Sequence, residues 1–384
     1  MRAASRPRLA KDVRILVVDG PSGALRVVAS AELPSLFQPG DLLVVNDAAT
    51  LPASFTGRTE RGEEIELRLV AQTGDRRWMA ALFGSGSFRV RTEDRPAPPR
   101  VIAGDELFFS ADLVAIVEGI QPESSRLLAI ELALRTDADP PIDRIWSALY
   151  RAGRPVQYAH VPEPLALWDV QNVYAGRPWA VEMPSAGRAL RVETMLELQR
   201  RGVEIAWVTH AAGLSSVGDA AVDALLPLPE RYEVTEETWE AIARARQRGG
   251  RVVAIGTSAA RALEGGVRKG RRSGVTSLKI APGMRRAIVD AVLTGVHEAD
   301  TSHFALLGAF VSSPLLELAL ARAAEEGLLG HEMGDACLVW GDMPAHRGQP
   351  ARKPVEAPPP PSVGPAQRGD RRAEGRGRRA AAIA

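Results

Sequence analysis

The sequence predicts an α/β fold interrupted by a small all-β barrel and followed by a disordered tail. Three observations carry this expectation. Between residues 56 and 135, short and often alternating apolar runs recur at intervals of roughly 8–12 residues, with no helical pattern between them. From residue 190 onward, amphipathic helices alternate with short apolar strands, the pattern of a mainly parallel sheet with helices packed on it. Beyond residue 346 the chain is rich in proline and arginine and has no apolar periodicity. The implied division is 1–55 with 136–345 for the α/β body, 56–135 for the inserted barrel and 346–384 for the tail.

In chain order, Ile15 to Val18 make a first strand that Asp19 ends. That run is too short for a signal peptide, and no stretch approaches the ~18 apolar residues of a membrane span, so a cytoplasmic protein with no membrane partner is expected. The barrel runs are EIELRLVA, RWMAALFG, SFRVRT, DELFFS, LVAIVEGI and RLLAIELAL. LRVETMLELQRRG then reads as a helix stopped by Gly202, VEIAWVT as a buried strand, and TEETWEAIARARQRGG as a helix opened by Thr235 with two glutamates in its first turn. RVVAIG is the next strand. Gly256 breaks it, and Thr257 or Ser258 can cap the following helix. Such a turn aims unpaired N–H groups and a positive dipole end at one point, a setting for an anion. Arg261 stands one turn on, with Glu264 three positions further as its alternative surface partner.

Composition narrows the chemistry. The chain has 384 residues, 45% hydrophobic and 25% charged, enough for a sizeable core. Cys337 is the only cysteine, which excludes a disulfide framework and a cysteine-based zinc site. The six histidines show no ligand spacing such as HExxH, so no metal is expected. No Walker A or GxSxG motif occurs, and GSGSFR lacks the third glycine of a dinucleotide loop. Net charge is +1, with +6 in residues 346–384 and −5 in the rest, so nucleic-acid contacts fall to local patches or the tail. One patch is the loop GVRKGRRSG, whose Arg268, Lys269, Arg271 and Arg272 suit RNA phosphates.

Several segments together resemble one family, the S-adenosylmethionine:tRNA ribosyltransferase-isomerases of queuosine biosynthesis. DLLVVNDAATLPASFTGR is similar to the family's Asn-Asp segment, keeping Asn46 and Asp47. VQNVYAGRPWAVEMPSAG resembles its Gln-x-Val-Tyr-Ala and Pro-Thr-Ala-Gly segments, with Gln171, Tyr174, Ser185 and Gly187. Gly256, Thr257, Ser258, Arg261 and Glu264 match its Gly-Thr-Thr-Ser-x-Arg turn, and the stretch from Pro282 to Phe310 keeps Asp290, Thr294 and His297. Gly213 and Glu230 match positions where the surroundings differ: Ala211-Ala212-Gly213-Leu214 replaces His-Val-Gly-Leu, with His210 displaced by one, and Pro227-Leu228-Pro229-Glu230 replaces Met-His-Ser-Glu. Ala49, Gly295 and Asp300 stand where the family has arginine, asparagine and lysine.

The resemblance implies a barrel-like α/β large domain carrying the small β-barrel. It also implies a reaction: the ribosyl unit of S-adenosylmethionine moves to a 7-aminomethyl-7-deazaguanine base in tRNA and is isomerised to an epoxycyclopentane, giving epoxyqueuosine, adenine and methionine. S-adenosylmethionine is then a co-substrate, with no tightly bound cofactor. His297, Asp47 and Glu230 are the implied proton-transfer groups. Asn46, Gln171, Tyr174, Ser185, Gly187, Gly213, Thr257, Ser258 and Arg261 are the implied substrate contacts. The departures leave two alternatives open: a paralogue acting on another adenosyl compound or RNA, and a non-catalytic RNA-binding protein.

Overall fold

The computed structural model describes residues 2–299 and 301–342; the tail reading at 346–384 and the departure at Asp300 lie outside them. The chain opens with β1 (Arg14–Asp19), β2 (Ala24–Ala29), β3 (Leu42–Asn46) and the short β4 (Ala48–Thr50). Six strands follow: β5 (Ser54–Thr59), β6 (Glu64–Gln72), β7 (Arg77–Phe83), β8 (Glu106–Phe108), β9 (Leu113–Ile120) and β10 (Leu127–Leu134). After α1 (Ile142–Ala152) come β11 (Arg177–Ala180), α2 (Val192–Arg200), β12 (Glu204–His210), α3 (Ala220–Asp223), β13 (Glu230–Val234) and α4 (Glu236–Gln247). The last part holds β14 (Val252–Ile255), α5 (Thr257–Lys269), β15 (Ser273–Thr276), β16 (Ala291–Gly295), α6 (Ser302–Leu307), α7 (Ser313–Glu325) and β17 (Ala336–Trp340).

Strands β5 to β10 close into an antiparallel barrel in the order β10-β7-β6-β5-β8-β9. Their alternation fills its interior, with Ile65, Leu67 and Leu69 of β6 fully buried among Trp78, Ala80 and Leu82 of β7. SFRVRT is not one of the strands. Ser87 to Val90 form a turn, and a 3-10 turn at Thr92–Asp94 follows. The reason is long-range: the buried guanidinium of Arg95 bonds Glu66 at 2.5 Å and Gly84 O at 2.6 Å, drawing the segment back over the barrel. Helix α1, read from the sequence as part of the α/β body, instead packs Ile145, Ala148 and Leu149 into the barrel's core.

The large sheet runs β15-β13-β12-β3-β14-β16-β17-β1-β2 among the described residues. The sequence pattern implied mainly parallel pairing; the sheet is evenly mixed. The pairs β12–β3, β3–β14, β14–β16 and β17–β1 are parallel, and the other four are antiparallel. Of the antiparallel pairs only β1–β2 is a simple hairpin; helices lie between the strands of the other three. The central strands are buried on both faces. Leu42 and Val44 pack with α4, α5 and α7 on one face, while Leu43 and Val45 pack with Leu33, Leu36 and Leu198 on the other. Thr235 caps α4 by accepting from Thr238 N, as its position in the sequence suggests. No helix among the described residues is long and apolar enough to cross a membrane.

Candidate functional site

Strands β12, β3, β14 and β16 are adjacent and mutually parallel, so their carboxyl ends line one edge of the sheet. Open α/β sheets present ligand groups along such an edge. Asn46, the last residue of β3, ties this edge together. Its Oδ1 accepts from His210 N at 2.9 Å and Ala48 N at 3.1 Å. Its Nδ2 donates to His210 O at 3.0 Å and to Ser258 Oγ at 3.2 Å. One buried amide thus joins β3, the end of β12 and the start of α5.

The turn into α5 departs from the expected cap. Gly256 is the N-cap with φ 94°, and neither Thr257 nor Ser258 accepts a capping hydrogen bond. The left-handed backbone there favours glycine. A Cβ would also stand 3.3 Å from Ser258 Oγ and 3.6 Å from Ala186 Cβ, which brings the Pro-Ser-Ala-Gly segment against this turn. The first-turn N–H groups of α5 therefore have no side-chain cap, and Thr257 and Ser258 are partly exposed beside them.

Behind this turn lies a buried ionic cluster. Glu230 opens β13; its Oε1 accepts from Gly213 N at 2.7 Å, and its Oε2 pairs with Arg261 Nη1. Arg261 also donates from Nε to Leu278 O at 2.9 Å and from Nη2 to Leu228 O at 3.4 Å. Burial pulls its pKa down to about 10. The expectation of an arginine open to an anion is corrected here: its partner is Glu230, and only 5% of it is exposed. Glu264 is not its partner either, because that carboxylate accepts from the N–H groups of Ala287, Ile288 and Val289. His210 is fully buried, with Nε2 3.4 Å from Glu230 Oε2 and no hydrogen bond at either ring nitrogen. Burial, then the nearby Arg261 charge, holds it neutral.

Asp47 lies on the other face. Thr209 Oγ1 donates to its Oδ1 at 2.6 Å, and consecutive strand residues such as Thr209 and His210 point to opposite faces. Burial raises the Asp47 pKa against the lowering effects of Thr209 and Arg177. Arg177 in turn pairs with Glu233 at 2.9 Å. Tyr174 packs on this side, with its hydroxyl pKa raised by burial and by Asp47. Its hydroxyl would lie 2.1 Å from a Cβ at Gly187, so only glycine fits there. Ser185 is partly exposed at the start of the same 3-10 turn. Gln171 is held on β4: its Oε1 accepts from Thr50 N at 2.9 Å and its Nε2 donates to Thr50 O at 2.8 Å, extending the β4 ladder.

His297 follows β16 on the α5 side. Its Nε2 meets Thr294 Oγ1 at 2.8 Å, and its ring stacks on His303 with centroids 4.6 Å apart. Burial, then His303, pushes its pKa well below the ordinary histidine value, so the ring is neutral near pH 7. Gly256 N donates to Leu293 O at 2.8 Å, which places the Thr257 turn and the end of β16 side by side. The basic loop stands apart, at the far end of the 13-residue α5 and roughly 20 Å along it. Lys269 Nζ donates to Val275 O at 2.6 Å, Arg268 bonds Arg285 O, and Arg272 pairs with Glu236, so these side chains have local partners while Arg268 and Lys269 stay exposed.

Sequence reasoning missed part of this edge. His210 was visible only as a displaced family histidine. Glu182, which accepts from the Tyr158 hydroxyl and from Ser215 N at 2.9 Å, gave no signal at all. Burial and neighbouring Glu332 lift its carboxyl to about 7.

Residues 2–339 match the family model described as queuosine biosynthesis protein. A protein of Gloeobacter violaceus named S-adenosylmethionine:tRNA ribosyltransferase-isomerase is 31% identical over 340 residues, covering 85% of this chain and 88% of the relative. One of the same name from Acidithiobacillus ferrooxidans is 32% identical over 336 residues, covering 85% and 90%. A solved structure of S-adenosylmethionine tRNA ribosyltransferase from Thermotoga maritima shares 22% identity with a TM-score of 0.47, covering 88% of this chain and 95% of that one.

Proposed function

The chain belongs to the queuosine biosynthesis protein family, that of the S-adenosylmethionine:tRNA ribosyltransferase-isomerases, and from that premise we propose that it carries out this reaction in the cytoplasm. It transfers the ribosyl unit of S-adenosylmethionine to a 7-aminomethyl-7-deazaguanine base in tRNA and isomerises it to the epoxycyclopentane. One observation supports this most: family-matching residues scattered from 46 to 297 converge on one sheet edge. Asn46 bonds Ser258, Glu230 bonds both Gly213 and Arg261, and His297 is next along.

The residues divide the work in this reading. The uncapped start of α5, with Thr257 and Ser258, receives the methionine carboxylate or an RNA phosphate. His297, neutral, accepts the proton that the sulfonium activates. Asp47, whose carboxyl is lifted by burial, serves as the acid at the departing adenine from the opposite bank, where Tyr174, Ser185 and Gly187 lie. Glu230 holds Arg261 and Gly213 in place. Arg268, Lys269, Arg271 and Arg272 meet the tRNA backbone away from the reacting nucleotide. The test is incubation with S-adenosylmethionine and precursor-base tRNA. Adenine release that needs both substrates supports the proposal, and no release with both present refutes it.

A second reading has its own observation. The Glu230 pair closes Arg261 to an incoming anion, which suits a paralogue acting on a different adenosyl compound. Adenine release from such a compound, with none from S-adenosylmethionine, would select it.

A further inference from the structure

The histidines have no ligand spacing along the chain, yet the fold gathers two of them with a glutamate. His160 comes from the connection between α1 and β11, and His331 and Glu332 come from the turn before β17. His160 Nε2 lies 3.0 Å from Glu332 Oε2, and the His160 and His331 rings are 4.6 Å apart at 32°. One ligand atom from each of the three residues lies within 4.8 Å of the other two. All three are partly buried, and a small cavity bounded by Tyr158, His160, Glu182, Met183, Glu332 and Met333 opens beside them.

We propose that His160, His331 and Glu332 bind one divalent first-row transition ion. Two imidazoles and one carboxylate are the donor set of zinc and non-haem iron sites that keep a coordination position open. Metal–ligand bonds of about 2.0–2.2 Å set the donors of a tetrahedral site roughly 3.3–3.5 Å apart, so the cluster needs only side-chain adjustment to close on an ion. The backbone gives independent support. His331 sits at φ 66°, a left-handed conformation that is uncommon for a residue with a side chain and that tends to persist where function holds it. The local charge fits as well, since the Glu332 carboxylate faces a second buried carboxyl, Glu182, across the same cavity. His160 and Glu332 border that cavity, which leaves space beside them for water or a small ligand. Hard ions such as Mg2+ and Ca2+ are disfavoured by the nitrogen donors.

This inference stands apart from the proposed ribosyl transfer, because the folded chain alone is sufficient to test it. The full chain is stripped with chelator, then titrated with Zn2+ and, in parallel, with Co2+ as a spectroscopic probe. Expected are one equivalent bound per chain, visible Co2+ absorption of a low-coordinate site, a rise in Tm with Zn2+, and no response to Mg2+. His160→Gln, His331→Ala and Glu332→Gln should each weaken Zn2+ binding by at least ~100-fold, beyond the 10–100-fold typical of outer-shell changes. Circular dichroism of each metal-free variant confirms that it is folded. The double variant His297→Ala/His303→Ala, which removes the neighbouring imidazole pair, should retain affinity. Absence of stoichiometric binding in the wild type overturns the site. So does binding that survives the three single changes in folded protein, or binding lost with His297 and His303. Adenine release is measured separately, so failure of the metal site leaves the reaction assay unaffected, and the reverse holds too.

Discussion

Among the described residues two glutamate–arginine clusters are buried, and they are built to different ends. In the barrel, Glu66 accepts from Arg68 Nε at 2.6 Å, Arg95 Nη1 at 2.5 Å and Ser54 Oγ at 2.8 Å. Both guanidinium groups lie over the Phe83 ring. Burial lifts the Glu66 carboxyl, but the arginines outweigh it and hold its pKa below the ordinary value. At the sheet edge, Glu230 has one arginine, one backbone N–H and a neutral histidine with no hydrogen bond on its ring. The barrel cluster pairs its carboxylate with two permanent cations. The edge cluster has one cation beside an imidazole that burial keeps neutral at pH 7 and that takes up a proton only in acid. Each cluster keeps a buried nitrogen without a hydrogen bond, Arg68 Nη1 in the barrel and the ring of His210 at the edge, and what separates them is that only the edge nitrogen belongs to a ring that can titrate.

The comparison is exposed most severely by Glu66→Ala. Two buried arginines would lose their shared counter-ion, and urea denaturation should show a loss of about 3–5 kcal/mol. Adenine release per folded molecule should be unchanged. A loss below ~1 kcal/mol would erase the distinction. Next comes His297→Ala, expected to lower adenine turnover by ~100-fold or more while the melting temperature stays close to wild type. A change confined to substrate affinity would remove its proton-transfer role.

Arg261→Ala sharpens the contrast. Glu230 and His210 can share a proton once the cation is gone, so the expected destabilisation is about 1–3 kcal/mol, smaller than for Glu66→Ala. Equal losses in the two variants would show that the edge cluster is as fixed as the barrel's.

Acidity should then separate the regions. His210 and His297 have folded pKa values below 6.5, so the unfolded chain binds more protons as pH falls through 6.5, and stability declines there. Glu66 has a folded pKa below 4.5, so its contribution is complete above that value and is lost as pH falls further, through its folded pKa. Each proton contributes a slope of about 1.4 kcal/mol per pH unit where it is taken up. Denaturation free energies across this range should show a smaller upper component in His210→Ala, where His297 still contributes, and should lose the lower one in Glu66→Gln. Arg271→Ala, on the loop remote from both clusters, should have the smallest effect: tRNA binding a few-fold weaker at low salt, with the salt slope reduced by ~1.

Much of the architecture was legible in the residues. Alternation at 64–72 and 113–120 encodes barrel strands because period two is a local property that each pleated segment carries by itself. The helix at 236–247 is likewise marked by its capping Thr235, and that at 257–269 by its flanking glycines, each with an apolar stripe. SFRVRT misled for the opposite reason. Its alternation is real, but a charge pair between Arg95 and Glu66, 29 positions apart, outbids it.

What the sequence alone determined is therefore what depends on near neighbours: the identity of most elements, the glycine at the turn into α5, and the order of family motifs from Asn46 to His297. Tertiary structure decided which of those groups meet. Strand order puts β3 between β12 and β14, and only then does Asn46 reach both His210 and Ser258. The same order sets Asp47 and Glu230 on opposite faces, turns Arg261 inward to Glu230, and brings His160 to Glu332 across 172 positions. A side chain's face is fixed by periodicity within its own element, but its partner is fixed by how distant elements share buried space, and no local pattern records that.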